Sequence, residues 1–295
     1  MEITSKQVAD LRAETGVGMM ECKKALVEAK GDFDEARKIL RKKGLAAAAS
    51  KAGRATSEGL VVAHVTPKAA ILLEVNCETD FVARTEAFRL FADKLAERIA
   101  THEAFGEVRS GAGAEVTPLS WPGEASVGDA VGQLVATLKE NIQVRRFARL
   151  VPKAGEKFAS YIHGNGRIGV LVGLRAADQS LARDLAMHVA ASDPRFAARS
   201  EVTPEILATE REIARAQALA AGKPANVVER IAEGKVEKFY QETVLTEQAF
   251  VKDPEKTVGQ VLVERGGKDA LDLRFVRFKL GEAPARSAEG EALAS

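Results

Sequence analysis

The sequence predicts an α+β protein: a three-helix N-terminal unit, a duplicated core of small antiparallel sheets each covered on one face by helices, and an inserted antiparallel helical hairpin. Three observations carry this reading. Apolar residues fall on helical spacings from Val8 to Leu40, the period switches from 3.6 to 2 after Gly59, and the strand-strand-helix order that begins at Leu60 recurs from Phe158. A stripe at i, i+3, i+4, i+7 marks a helix with one buried face, whereas alternation marks a half-buried strand.

Thr4 or Ser5 can cap a first helix carrying Val8 and Leu11, which Thr15-Gly16-Val17-Gly18 breaks with two residues tolerant of positive φ. A second helix sets Cys22, Ala25, Leu26 and Ala29 on one stripe before Gly31. Asp32 caps a third, with Phe33, Ala36, Ile39 and Leu40 inward and Gly44 at its end. So small a unit has a marginal core and is expected to lean on a partner. Residues 45–54 are Ala-rich without a large apolar stripe after Leu45, and read as a helical or semi-flexible linker closing an N-terminal domain of residues 1–54.

Residues 60–65 and 70–77 read as paired strands around Pro67-Lys68, followed by a helix whose buried stripe is Phe88, Phe91, Ala92, Leu95 and Ile99. A helix at 127–138 and a strand at 142–150 complete a first core subdomain, residues 55–150. The second subdomain begins with residues 151–199, where strands at 158–163 and 168–174 flank Gly164-Asn165-Gly166 and a helix carries Leu181, Leu185, His188 and Val189. Thr203-Pro204-Glu205 starts a helix, Gly222-Lys223-Pro224 turns the chain, and helix resumes to Tyr240. This gives a hairpin over residues 200–240, with a narrow seam assigned to Ile206, Ile213, Leu219, Val227, Ile231 and Phe239. The chain returns to the core over 241–263. Residues 271–280 alternate like a strand inside a C-terminal module of 264–282, and the Ala/Glu/Ser tail of 283–295 reads as disordered.

Composition excludes several function classes. Lys+Arg 43 against Asp+Glu 42 leaves a net charge of +1, and aromatic residues make up 5%, so the chain lacks a basic footprint and a base-stacking platform. Direct nucleic-acid binding is not expected. The start has no charged segment leading into an apolar one, and no run approaches the ~20 apolar residues of a membrane span, so a cytoplasmic protein is expected. Cys22 and Cys77 form no CxxC and read as reduced core residues.

Gly164-Asn165-Gly166-Arg167-Ile168-Gly169 matches G-x-G-x-x-G, but a dinucleotide site needs those glycines between a strand and a helix, and Val170-Leu171-Val172 is β-rich. A hairpin turn is the better reading. No G-x-x-x-x-G-K-[ST] occurs, the four histidines lack metal-ligand spacing, and His188 falls on a helix stripe as a packed histidine would. Glu78 and Asp80 have no nucleophile or oxyanion donor placed beside them and read as helix-capping carboxylates.

Two features resist a purely structural reading. Met19 and Met20 are adjacent at a helix start and cannot both face the core of a small bundle, so at least one is expected in the open, where a polarizable unbranched side chain suits a contact surface. Phe81 lies seven residues before Phe88. In an unbroken helix it joins the buried stripe, whereas a second N-cap at Thr85 leaves it on a separate turn at the subdomain tip. Periodicity leaves both fates open.

The stretches Leu11-Arg12-Ala13-Glu14-Thr15-Gly16-Val17-Gly18-Met19-Met20-Glu21-Cys22-Lys23-Lys24-Ala25-Leu26 and Glu74-Val75-Asn76-Cys77-Glu78-Thr79-Asp80-Phe81-Val82-Ala83 closely resemble the two signatures of the elongation factor Ts family. Residues 186–192, 250–254 and 258–260 are similar to it too, in its order, so the resemblance spans roughly residues 1–282. Lys139-Glu140 before Asn141-Ile142 departs from it, since the family more often has Gly-Glu there. The resemblance implies a ubiquitin-associated-like N-domain and a guanine-nucleotide exchange factor that binds the GTPase elongation factor Tu, with no enzyme activity and no cofactor of its own. By position, Thr79, Asp80, Phe81 and Val82 would work beside the Mg²⁺ and phosphate site of that GTPase. Met19 and Met20 would meet a helix of its nucleotide-binding domain, and His163 would make a lesser contact. A homodimer through the hairpin is a further expectation. A ubiquitin-type adaptor would account for the first domain but leave the duplicated core without purpose.

Overall fold

The computed structural model describes residues 3–102, 105–175 and 178–282; the tail expected to be disordered lies outside the described residues. Three helices open the chain: α1 (Ser5–Thr15), α2 (Met19–Glu28) and α3 (Phe33–Lys51). Thr4 caps α1 in a capping box with Gln7, Gly16 ends it in the left-handed region at φ 67°, and Asp32 caps α3 by accepting the Glu35 N–H. Val8, Leu11, Cys22, Ala25, Leu26, Ala36 and Leu40 close a small core between them.

The third helix does not end at Gly44 as expected. It runs to Lys51, and the Ala-rich stretch is its last turns, with Ala47 and Ala48 against the main core. Gly44 is buried where α3 crosses α6 (Val127–Leu138): a Cβ there would stand 3.0 Å from the Gly132 carbonyl oxygen. Glycine at this position serves a close helix crossing rather than a helix stop. Arg41 grips Asp129 of α6 with two hydrogen bonds, at 2.9 and 2.6 Å, and Gln133 Nε2 donates to the Thr15 carbonyl, so the N-terminal unit is docked.

The core has two sheets. The first comprises β1 (Glu58–Val65), β2 (Ala70–Cys77), β3 (Val108–Ala112) and β4 (Ile142–Leu150), in the order β1-β2-β4-β3, all antiparallel. The second comprises β5 (Lys157–His163), β6 (Ile168–Leu174) and β9 (Arg274–Lys279), in the order β5-β6-β9. A small ribbon, β7 (Ala249–Phe250) with β8 (Asp253–Thr257), stands apart. The strand foreseen at 271–280 is β9, and its place is inside the second sheet. Strand β3 was not foreseen, because its Val-Arg-Ser-Gly-Ala run carries no alternation; Gly111 is there because a Cβ would strike the Phe147 ring.

Alternation along β2 sorts the layers. Ile71, Leu73, Val75 and Cys77 face α5 (Glu86–Thr101) through Phe88, Phe91, Leu95 and Ile99. Ala70 and Leu72 face the second sheet, meeting Leu171 and Phe278. The second sheet turns Val170, Val172 and Leu174 to α7 (Gln179–Ser192) and α10 (Val258–Gly266). The sheets are therefore stacked face to face with helices outside both. This is why β2 is buried along its whole length and reads as a nearly unbroken apolar run. The Val61 N–H donates to the Gly166 carbonyl at 2.7 Å, tying the G-x-G turn to the first sheet; Gly164, Asn165 and Gly166 all have positive φ, as a tight hairpin turn requires.

The hairpin is α8 (Pro204–Ala220) and α9 (Ala225–Thr243), rooted where Phe196 bridges Val244. Its seam differs from expectation. Ala214, Ala218, Val228, Ala232, Val236 and Phe239 are buried, Ile206, Val227 and Ile231 are half-buried, and Ile213 and Leu219 are exposed. Small residues let the two helices approach closely, which pushes the larger apolar side chains outward. Among the described residues no helix is long and apolar enough to cross a membrane.

Candidate functional site

Strand β2 stops at Cys77, and the chain turns into a one-turn helix, α4 (Asp80–Ala83), before α5. Two caps in close succession enforce the break. Thr79 Oγ1 accepts the Val82 N–H at 3.4 Å to start α4, and Thr85 Oγ1 accepts the Phe88 N–H at 3.3 Å to start α5. Phe81 is thereby taken off the α5 stripe and is 77% exposed, whereas Val82 and Ala83 on the same turn are buried. A large aromatic ring so open is costly to hydrate, and its neighbours anchor the turn that presents it.

The carboxylates do not act as the caps expected of them. Asp80 is the first residue of α4 and pairs with Arg84, Nη2 to Oδ2 at 2.7 Å. Glu78 Oε1 accepts the Asn141 N–H at 2.6 Å. Glu140, in the link between α6 and β4, supplies the complementary half: its Oε2 accepts the Glu78 and Thr79 N–H groups at 3.1 and 3.0 Å, and its Oε1 accepts the Thr79 hydroxyl at 2.5 Å. Beneath the turn the Cys77 thiol donates to the Thr79 carbonyl at 3.1 Å. Burial, with Glu140 nearby, pushes that thiol up to about 12, so it remains protonated and inert.

Met19 and Met20 open α2 behind Gly18, which provides no side-chain cap, and both are in the open at 51% and 63% exposed. Val27, also exposed, lies seven residues past Met20 and extends the same face; that spacing was readable in the sequence. His163 ends β5 and is exposed, its Nδ1 3.1 Å from the Tyr161 hydroxyl. His188 is fully buried, as its helix stripe implied. Val251 N–H donates to its Nδ1 at 3.2 Å, which leaves the proton on Nε2 to donate to Gln248 Oε1 at 2.9 Å. Among the described residues no group of three or more His, Cys, Asp or Glu is placed to hold a metal.

The features that stand out are exposed apolar side chains, Phe81 on a short capped turn and Met19 and Met20 at an uncapped helix start, which suit contact surfaces. Comparison with known proteins makes the family explicit. The family model described as Elongation factor TS matches residues 78–282. The Elongation factor Ts of Methylococcus capsulatus is 46% identical over 96% of this chain and 93% of its own length. That of Thioalkalivibrio sulfidiphilus is 46% identical over 98% and 96%, and one from Clostridium botulinum is 43% identical over 95% and 93%. The chain belongs to the elongation factor Ts family, the translation elongation factors that act in nucleotide exchange.

Proposed function

We propose that this chain is a guanine-nucleotide exchange factor for elongation factor Tu, and that it lowers GDP affinity by pressing the Asp80-Phe81 turn against the Mg²⁺ and phosphate side of the GTPase nucleotide site. The observation that supports this reading is Phe81, 77% exposed on a capped turn whose Val82 and Ala83 are buried. Mg²⁺ bridges phosphate oxygens and holds several ordered waters, so displacing the elements around it removes ligands on which the diphosphate depends.

Magnitudes show what else is needed. A nanomolar ligand is held by about 12 kcal/mol, and burying one Phe contributes about 1.5–3 kcal/mol. The wedge therefore needs a broad interface behind it, and Met19 and Met20 on the N-terminal unit, with His163 on the second sheet, supply separated further contacts. By reciprocity, GDP weakens the complex by the factor with which the complex weakens GDP.

Release of a fluorescent GDP from elongation factor Tu, with and without the chain, tests the reading. Phe81→Ala should leave thermal stability within about 0.5 kcal/mol, as surface substitutions do, and slow GDP release markedly. A folded Phe81→Ala variant that exchanges GDP at the normal rate overturns the wedge.

A further inference from the structure

We infer that Glu140 is the positioning residue of the wedge, acting on the partner only through the orientation of the Asp80-Phe81 turn; this rests on the wedge reading above. The turn is only four residues of helix, too short to hold its own geometry by intrahelical bonds. Val82 and Ala83 anchor its buried side, and the orientation of its open side depends on what grips its entry. A single carboxylate from the α6–β4 link takes three donors there, the Glu78 and Thr79 N–H groups and the Thr79 hydroxyl. Because the hydroxyl gives its proton to Glu140, its lone pairs are free for the Val82 N–H, so the same carboxylate fixes the cap of α4.

The grip is reciprocal and reaches a third segment. Glu78 returns a bond to the Asn141 N–H, and Asn141 Nδ2 donates to the Arg54 carbonyl at 2.9 Å, just beyond α3. Arg54 Nη1 in turn lies 3.3 Å from Glu78 Oε1. The clamp thus fastens the wedge to the end of α6 and to the chain leaving α3. Helix α6 also carries the N-terminal unit through Asp129 and Gln133. One helix sets the place of both proposed contact elements.

A Glu140→Gln substitution keeps the volume and an oxygen for the two N–H groups, but turns an NH₂ toward the Thr79 hydroxyl, which can then no longer donate there, and removes the charge that strengthens all three bonds. At saturating factor, GDP release should slow about tenfold, the scale of one lost charge-assisted hydrogen bond, while the concentration for half-maximal release changes by less than about twofold because the broad interface persists. Glu78→Ala, which breaks the return bond, should give a weaker effect of the same kind. The deciding measurement is a double-mutant cycle with Phe81→Ala. In the Phe81→Ala background Glu140→Gln should slow release no further. An equal slowing in both backgrounds, or a normal rate for folded Glu140→Gln, overturns the inference and leaves the wedge standing. An unchanged rate for Phe81→Ala alone fails the wedge, and the positioning role with it.

Discussion

Individual residues show where local rules were obeyed and where function bent them. Lys139 ends α6 in the left-handed region at φ 65°, at the position where the resemblance favours glycine. A Cβ costs about 1–2 kcal/mol there, against about 0.5–1 kcal/mol for the extra freedom glycine loses on folding. Lys139→Gly should therefore stabilise the protein by up to about 1 kcal/mol, read from denaturant midpoints at constant slope. His188 gives a pH signature. Burial holds its imidazole below the ordinary value of 6.5, with the Gln248 bond opposing, so below that pH the unfolded chain binds a proton that the folded chain does not. Stability is then full above about pH 7 and falls as pH drops through 6.5, and His188→Gln should flatten that slope in unfolding titrations from pH 8 to 5. The buried histidine was legible from its helix stripe. Phe81 was legible only as an alternative: the Thr85 cap that frees it could be read, but spacing alone could not choose between that turn and an unbroken helix, and the Thr79 cap that starts the separate turn went unread. Glu140 was hidden for another reason: its partners lie 61 and 62 residues away, and no local pattern encodes a reciprocal clamp between two loops.

At the scale of elements, the hydrophobic period identified most strands and helices; β3 escaped it for want of alternation, and two other misreadings share one cause. Gly44 was read as a helix stop and the hairpin seam was assigned to large apolar residues, where small residues serve close approach. A glycine that ends a helix and a glycine that lets another helix cross leave the same mark in sequence; only tertiary contact separates them. Gly44→Ala decides between these roles. Alanine gains about 1 kcal/mol of helix propensity, whereas forcing a Cβ to 3.0 Å from the Gly132 carbonyl oxygen is overpacking at about 1–3 kcal/mol. The variant should be net destabilised and should bind elongation factor Tu less tightly, since α3 carries the N-terminal unit. A more stable Gly44→Ala protein would show that the crossing tolerates displacement. The hairpin invites the opposite experiment. Its ends are tied by the Phe196–Val244 bridge and it packs on its own alanine seam, so replacing residues 205–238 by a short glycine-serine link should leave GDP release intact. We propose that the outward Ile213 and Leu219 serve self-association; sedimentation of the excised protein at high concentration should then show monomer only.

The whole molecule is held together at a polar point inside an apolar interface. Glu74 on β2 is fully buried, and Arg146 on β4 meets it at 2.6 Å while donating to the Lys279 carbonyl and stacking on the Phe278 ring of the second sheet. The Gly281 N–H completes the link by donating to Glu74 Oε1 at 2.8 Å. The pair thus joins both sheets and the end of β9, and its loss should be felt by both halves at once. Arg146→Met strands a buried carboxylate, and breaking one partner of such a pair costs about 3–5 kcal/mol. For a chain of this size that lowers the melting temperature on the order of 10 °C. Arg145, 3.7 Å away, can offset only part of this through charge alone. The single tryptophan, Trp121, packs on Phe91 in the first half, so its fluorescence reports that half while far-UV circular dichroism reports the whole. In Arg146→Met the two transitions should shift down together, as one cooperative unit requires. Adding Glu74→Leu removes the stranded charge and should recover most of the loss. A Trp121 transition that stayed in place while the dichroism transition moved would mean that the sheets unfold independently, and that the ion pair joins them in geometry but not in energy.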